Sequence, residues 1–437
     1  MAHIIMLTIG SGGDLYPFFR MGSVLQQHGH RVTLVTHCIY EQESMKRGFA
    51  FMPFDTTAQY QLMMNADIQV QVQNPASGID FTRKYLLPRM EDNARRIAEL
   101  YDGAETLLIG HYMIHVLAQM IAERLRIPYV TVFLAPSFLE GAQTSSTMSR
   151  YFGQEINGIR QRFELAPVRN WERLMEDYSH GVAFWPHWFG DTAERERITK
   201  AGFLLHENEE EIPAAYRSQI VEERPVLITH ATTPPISPAF FQASIEACET
   251  LGLPAIVVTR HVDVVPQRLP AGILHVDRLP FSKIMPSVRL LIHHGGIGTL
   301  GQALQAGIPQ LILGNGFDRP RNAGYVSGLG AGGYLPISRW NKDDVSAAIQ
   351  QLLDQPQVQE ACQVASCRMR DSDPDKLVVD IVARALEGTP TRSGELQYGE
   401  PQQTTDSLHE TIELLQGLTP EHRRQLMAKL VARKAKA

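Results

Sequence analysis

Seven consecutive residues in the second half of the chain bring together a histidine pair, three glycines and a threonine: His293-His294-Gly295-Gly296-Ile297-Gly298-Thr299. An apolar run, Leu290–His294, leads into them, and a helical pattern over Thr299–Ala306 follows. Glycines let a backbone approach a ligand closely. The first amides of a helix point at whatever lies beyond its N-terminus and favour an anion there. The residue types therefore suit a diphosphate, whereas a plain strand-to-helix turn needs neither the histidines nor three glycines. A second glycine-rich turn, Gly10-Ser11-Gly12-Gly13-Asp14, lies near the N-terminus. Its carboxylate has two readings, a proton acceptor at the mouth of a cleft and a cap for the helix that follows. His111 ends another apolar run and is a second candidate base, or a residue that lines a pocket.

The elements that must carry these turns alternate. His3–Ile9 is continuously apolar, as in a strand buried on both faces. Phe18, Met21, Val24 and Leu25 form one helical stripe, Gly29 ends that helix, and Arg31–Thr36 is the next strand. Thr106–Gly110 and Pro128–Leu134 are further strands, with a helix around Val116–Leu125 between them. A polar, acidic stretch from Glu207 to Glu211, followed by Pro213, marks a domain boundary. A second alternation begins beyond it, with strands at Pro225–His230, Ala255–Thr259, Gly272–Val276, Leu290–His294 and Gln310–Leu313, and helices such as Pro238–Leu251. The expected architecture is α/β, with two doubly wound, Rossmann-like domains (1–206 and 207–388) facing across a cleft that holds the ligands. Residues 389–407 read as a flexible linker rich in Pro, Gly, Thr, Gln and Ser, and 408–437 as a basic helical tail.

Bulk composition narrows the function. The chain has 437 residues, enough for two domains, with 44% hydrophobic and 20% charged residues. A net charge of -6 gives no electrostatic footprint for nucleic acid. Four scattered cysteines without a C-x-x-C pair argue against a disulfide framework or zinc site, and reduced thiols suit a cytoplasmic protein. No basic leader precedes the first strand and no run approaches the ~20 apolar residues of a membrane span, so neither a signal peptide nor a transmembrane anchor is expected. A dinucleotide oxidoreductase fits poorly: Leu15 stands where the third glycine of a G-x-G-x-x-G fingerprint belongs, and the second strand ends in Thr36-His37 without an acidic residue.

The stretch from His294 to Ala323, HGGIGTLGQALQAGIPQLILGNGFDRPRNA, resembles the donor-binding signature of family 1 glycosyltransferases, H-x-G-x-G-T…A-L…G-x-P…D-Q…N-A. Within that family it is most similar to the bacterial rhamnosyltransferase-like branch and its relatives, the sterol and antibiotic glycosyltransferases. Gly10 to Asp14 with Pro17, Trp185-Pro186-His187-Trp188-Phe189, and Pro225 to Phe241 agree with the branch in order, so the resemblance spans nearly all of residues 3–387. It implies a GT-B fold. It also implies that Gly12, Gly13, Thr232, His294, Gly295, Gly296, Gly298 and Thr299 hold the donor diphosphate. Arg278, Leu279 and Phe281, largely through their backbone, and Gln302 would bind the nucleoside. Asn315, Asp318 and Arg319 would face the donor sugar. Two positions depart from the pattern: Ala231 replaces a glycine, and Arg319 replaces the glutamine of the Asp-Gln pair. A guanidinium only donates hydrogen bonds, so either the preferred sugar differs from glucose or Arg319 turns away to a carboxylate.

Asp14 is the implied base for an inverting displacement that needs no metal and no cofactor beyond the nucleotide-sugar co-substrate. Asp371-Ser372-Asp373 imitates a metal-binding D-x-D but lies ahead of Pro374, where a solvated cap is expected. The expected reaction transfers a glucose- or rhamnose-type sugar from a UDP- or dTDP-sugar to a lipophilic natural product such as a lipopeptide or polyketide. A sterol or lipid acceptor and a non-catalytic nucleotide-sugar-binding module are the alternatives. First-half methionines (Met45, Met52, Met63, Met64, Met90, Met113, Met120, Met148) suggest an adaptable acceptor pocket, with His111, Met113 and Trp185 as lining candidates, although several must be core. The tail pattern around Leu414 to Leu426 resembles segments beside nonribosomal peptide synthetase modules, which implies docking to a biosynthetic megaenzyme. Its alternative is an amphipathic helix on the protein's own surface.

Overall fold

The computed structural model describes residues 1–63, 79–139, 142–190, 195–206, 210–232 and 237–388. The linker and tail expectations, and Met64, lie outside these residues. Two parallel sheets organise the chain. The first contains β1 (His3–Leu7), β2 (Arg31–Thr36), β3 (Ala50–Pro53), β4 (Thr106–His111), β5 (Tyr129–Phe133), β6 (His180–Ala183) and β7 (Ile198–Lys200), in the order β3-β2-β1-β4-β5-β6-β7. The second contains β8 (Val226–Thr229), β9 (Ala255–Val258), β10 (Ile273–Val276), β11 (Leu290–His293), β12 (Gln310–Ile312) and β13 (Gly332–Tyr334), in the order β10-β9-β8-β11-β12-β13. Every residue of β1, β4 and β5 is buried, as expected of central parallel strands covered by helices on both faces.

Strand order reverses once in each sheet. In the first, β1 lies between β2 and β4. In the second, β8 lies between β9 and β11. Loops leaving the carboxyl ends of strands on either side of such a reversal diverge and leave a crevice, which is where open α/β sheets bind ligands. The turn after β1 leads into α1 (Gly12–Gln27). The turn after β11 leads into α2 (Ile297–Ala306), and the loop after β12 leads into α3 (Arg319–Gly328). Both glycine-rich turns therefore sit at reversal points.

The chain passes between the sheets twice. Residues 201–206 lead from the first to the second, and residues around Ser372 lead back. The passages touch at Gly202, whose φ of +88° suits glycine and whose absent Cβ would lie 2.8 Å from Ser372 Cβ. The last described helix, α4 (Pro374–Glu387), packs on the first sheet, beyond the 1–206 span assigned to that half from sequence. Asp373 caps it by accepting from Lys376 N–H at 3.0 Å, so the acidic D-x-D ends in a helix cap. Val378, Ile381, Val382 and Ala385 form its i, i+3, i+4, i+7 face and join Ala2, Ile4, Met6 and Phe18 in one core. Burying each of the larger side chains contributes about 1.5–3 kcal/mol as an upper estimate. Arg20 of α1 grips Asp375 through both guanidinium and carboxylate arms. No helix among the described residues is long and apolar enough to cross a membrane.

Candidate active site

The turn after β1 is held by its own hydrogen bonds. Ser11 is the N-cap of α1, and Asp14 occupies the third helical position rather than the cap itself. Asp14 Oδ2 accepts from Ser11 N–H at 2.8 Å and from the Ser11 hydroxyl at 3.2 Å. Burial raises the Asp14 carboxyl above its ordinary 3.8, and the Ser11 hydrogen bonds pull it part of the way back. The turn meets the other half directly. Gly12 N–H reaches Thr232 Oγ1 at 3.4 Å, and a Cβ on Gly12 would stand 3.1 Å from the Thr232 methyl. His261, after β9, donates from Nε2 to the Thr232 carbonyl at 3.1 Å and steadies that loop.

Across from Asp14 lies the turn after β11. Gly295 has a φ of +92° and packs on the start of α3, 3.2 Å from the Arg319 carbonyl if a Cβ were added. Gly296 has ordinary extended backbone, but a Cβ there would strike His294 Nε2 at 2.4 Å. Gly298 is different: it is exposed and a Cβ would meet nothing within 4 Å. The His294 ring is enclosed and lies 5.0 Å from the His230 ring. Its Nδ1 is buried without a hydrogen-bond partner. Burial, and next the fields of His230 and Arg319, push it well below 6.5, so it is neutral at physiological pH. His293 points into the sheet, accepts Gly295 N–H at 3.3 Å on Nδ1 and donates from Nε2 to Gln310 Oε1 at 3.1 Å. His293 therefore ties the turn's backbone to β12, while the His294 ring lies against Gly296 and His230.

The loop before α3 completes the arrangement. Asn322 donates to both Asp318 Oδ2 (2.7 Å) and the Gly295 carbonyl (3.0 Å), tying this loop to the β11 turn. Burial raises the Asp318 carboxyl, and the Asp14 charge adds to the rise across the cleft. Arg319 is buried and donates to the Asn315 carbonyl at 3.3 Å; it has not swung out to solvent. Phe317, between them, is exposed with a φ of +51°, a strained conformation for an aromatic residue.

The remaining expectations fall in varied places. Gln302 donates from Nε2 to the His206 carbonyl at 3.1 Å, so its amide nitrogen is fixed to the passage between sheets. Leu279 is buried in the core, Phe281 packs beside it, and Arg278 is exposed and 3.6 Å from Glu210. On the acceptor side, His111 and Trp185 are fully enclosed and only Met113 is exposed. Burial pushes His111 down to about 3, between Phe18 and Phe138. Met52, Met63 and Met120 are core, and Met45 joins Met113 as exposed. The Trp-Pro-His-Trp-Phe segment packs across the halves: Phe189 stands edge-on to Tyr325 of α3 at 5.3 Å and to Phe203 at 5.1 Å. His37, Asp55, His230, Asn322 and Tyr325 escaped the sequence reading. Of these, Asn322 lay within the quoted signature and His230 within the quoted Pro225–Phe241 stretch. Among described residues no group of three or more His, Cys, Asp or Glu side chains is placed to hold a metal.

Two family models match the sequence: the glycosyltransferase family 28 N-terminal domain over residues 4–90, and the erythromycin biosynthesis protein CIII-like C-terminal domain over residues 247–384. The chain carries these two matched glycosyltransferase domains and has the GT-B fold. The sterol 3-beta-glucosyltransferase of Pichia angusta is 22% identical over 87% of this chain, which spans 33% of that protein's length. The chain thus spans about a third of such relatives. The NDP-glycosyltransferase YjiC of Bacillus subtilis is 23% identical, covering 80% of this chain and 88% of its own. The glycosyltransferase of kitacinnamycin superposes with a TM-score of 0.69 at 18% identity, covering 88% of this chain and 98% of its own. VinC, a glycosyltransferase solved in complex with dTDP, gives 0.65 at 17% identity, covering 88% and 100%. At these identities the structures establish the GT-B fold.

Proposed function

We propose that this chain is an inverting glycosyltransferase that moves a glucose- or rhamnose-type sugar from a UDP- or dTDP-sugar to a hydroxyl of a lipophilic natural product, without a metal ion. The observation that carries the reading is the approach of the β1 turn, at Gly12, to Thr232 of the second half, with Asp14 near enough for its charge to act on Asp318. In this reading the α2 amides, Gly12, Gly13, Thr232, Gly295, Gly296, Gly298 and Thr299 cradle the diphosphate. His294 adds a neutral N–H donor. The loop Arg278–Phe281 and Gln302 hold the nucleoside, and Asn315, Asp318 and Arg319 face the sugar. Asp14 takes the acceptor hydroxyl proton, the oxygen attacks the anomeric carbon, and the bond to the diphosphate oxygen breaks. Charge on the leaving group is met by fixed amides and the helix terminus. A sterol-type acceptor is the second reading, favoured by the similarity to sterol glucosyltransferases along 87% of this chain.

A hydrolysis and thermal-shift screen with UDP-glucose, dTDP-rhamnose, GDP-sugars and NAD(H), with and without EDTA, tests the proposal. Turnover of one UDP- or dTDP-sugar that survives EDTA is expected. Loss of turnover in EDTA removes the metal-free mechanism, and stabilisation by NAD(H) alone removes the transferase reading.

A further inference from the structure

Two buried side chains behind the β1 turn have no place in the chemistry above, yet they hold its geometry. His37 follows β2 and Asp55 follows β3, and both side chains are fully enclosed. His37 Nε2 accepts Gly10 N–H at 2.9 Å. An acceptor at Nε2 requires the proton on Nδ1, which is donated to Asp55 Oδ2 at 2.6 Å. Asp55 Oδ1 accepts Cys38 N–H at 3.0 Å, so both carboxylate oxygens are used. The Tyr60 ring, 5.1 Å away, and Phe54 close the site. Consecutive amides of the turn thus point opposite ways: Gly10 N–H goes down to His37, and Ser11 N–H goes to Asp14. Gly10 has a φ of +127°, and a Cβ there would sit 2.3 Å from Asp14 Oδ2. The carboxylate rests directly on the backbone that His37 anchors.

We infer that His37 and Asp55 form a positioning pair that sets the place of the Asp14 carboxylate through the Gly10 amide. The inference rests on Asp14 as the base. His37 is not itself the base, because its only lone pair on the ring is occupied by an amide and no open surface reaches it. The pair links the ends of three adjacent strands, so a shift of the Gly10 amide moves Asp14 relative to a hydroxyl held in the cleft.

The test uses the full chain with UDP-glucose and dTDP-rhamnose as donors. His37→Leu is expected to lower kcat about ten- to a hundredfold with donor KM within about twofold, as for a displaced catalytic group. His37→Gln, whose amide can accept from Gly10 and donate to Asp55, is expected to restore most of the loss. Asp55→Asn guards against a leucine variant that does not fold, and is expected to fall between the two. Deuterium exchange of the peptide containing Gly10 and Ser11 is read in parallel and should speed up in His37→Leu. Equal loss in the Leu and Gln variants, a change in KM alone, or unaltered exchange would overturn the inference. Asp14→Asn is the separate control: if it keeps full turnover the base assignment fails, and the exchange measurement alone then decides whether His37 anchors the turn.

Discussion

Asp14 and Asp318 sit in environments that oppose their ionised forms, and that has two measurable effects. The first concerns activity. A base must be ionised, and burial raises Asp14, so the acid limb of the rate profile should lie above the ordinary carboxylate value of 3.8. Asp14→Asn is expected to reduce turnover roughly 10²–10⁴-fold while leaving donor affinity within about twofold. The second concerns stability. A carboxyl raised in the folded state binds its proton more tightly there than in the unfolded chain. Folding stability therefore falls as pH rises from the unfolded value through the folded one. Asp318→Asn removes that loss and keeps an oxygen to accept the Asn322 amide. It should melt at a higher temperature than the parent at pH 7, and the advantage should disappear below about pH 4, where the parent carboxyl is protonated in both states. Thermal melts at the two pH values check this, and an unchanged difference between them would count against it.

The turn after β11 separates two kinds of glycine, and substitutions can tell them apart. Gly296 has backbone angles that alanine adopts, but its Cβ would displace the His294 ring. Gly298 faces open space. Gly298→Ala should therefore keep the parent melting temperature within about 0.5 kcal/mol of stability, the usual range for surface changes. Any loss of donor affinity in it must come from the ligand, and about tenfold, or ~1.4 kcal/mol, is expected from crowding a diphosphate. Gly296→Ala should lose donor affinity through His294 as well. Isothermal titration with UDP and dTDP, paired with melts, reads both. This turn was legible in sequence because its chemistry is local: histidines, glycines and helix start fall within seven residues. β1 was legible for a similar reason, as a continuous apolar run, and five of the six strands of the second sheet stood out as apolar stretches alternating with helical patterns. β3, β6, β7 and β13 were not. Their sequences, AFMP, HGVA, ITK and GGY, carry proline, glycine or polar residues and give no apolar run to stand out from loop. His37 and Asp55 are 18 residues apart, and their pairing follows from β2 and β3 lying side by side, which no local pattern announces.

At the scale of the molecule the contacts that hold the halves together are the least legible of all. Phe189 and Tyr325 are distant in sequence, and α4 returns to a sheet that begins at residue 3. These contacts also brace the proposed donor loop, because Asp318, Asn322 and Tyr325 occupy one face of α3. Phe189→Ala removes a fully buried ring and is expected to cost about 3–5 kcal/mol. Its effect should extend to donor binding, read as a raised KM for the nucleotide sugar. Val382→Asp, which buries a charge between α4 and β-strands of the first sheet, should abolish soluble folding of the whole chain rather than of its end. The return of α4 also changes what a single cut would do. A chain opened between the exposed Glu210 and Glu211 yields a second fragment that still carries the covering helix of the first. Each piece then lacks something only the other provides, so the two are expected to co-purify as a split enzyme, reassembling through a helix that acts as a built-in clasp.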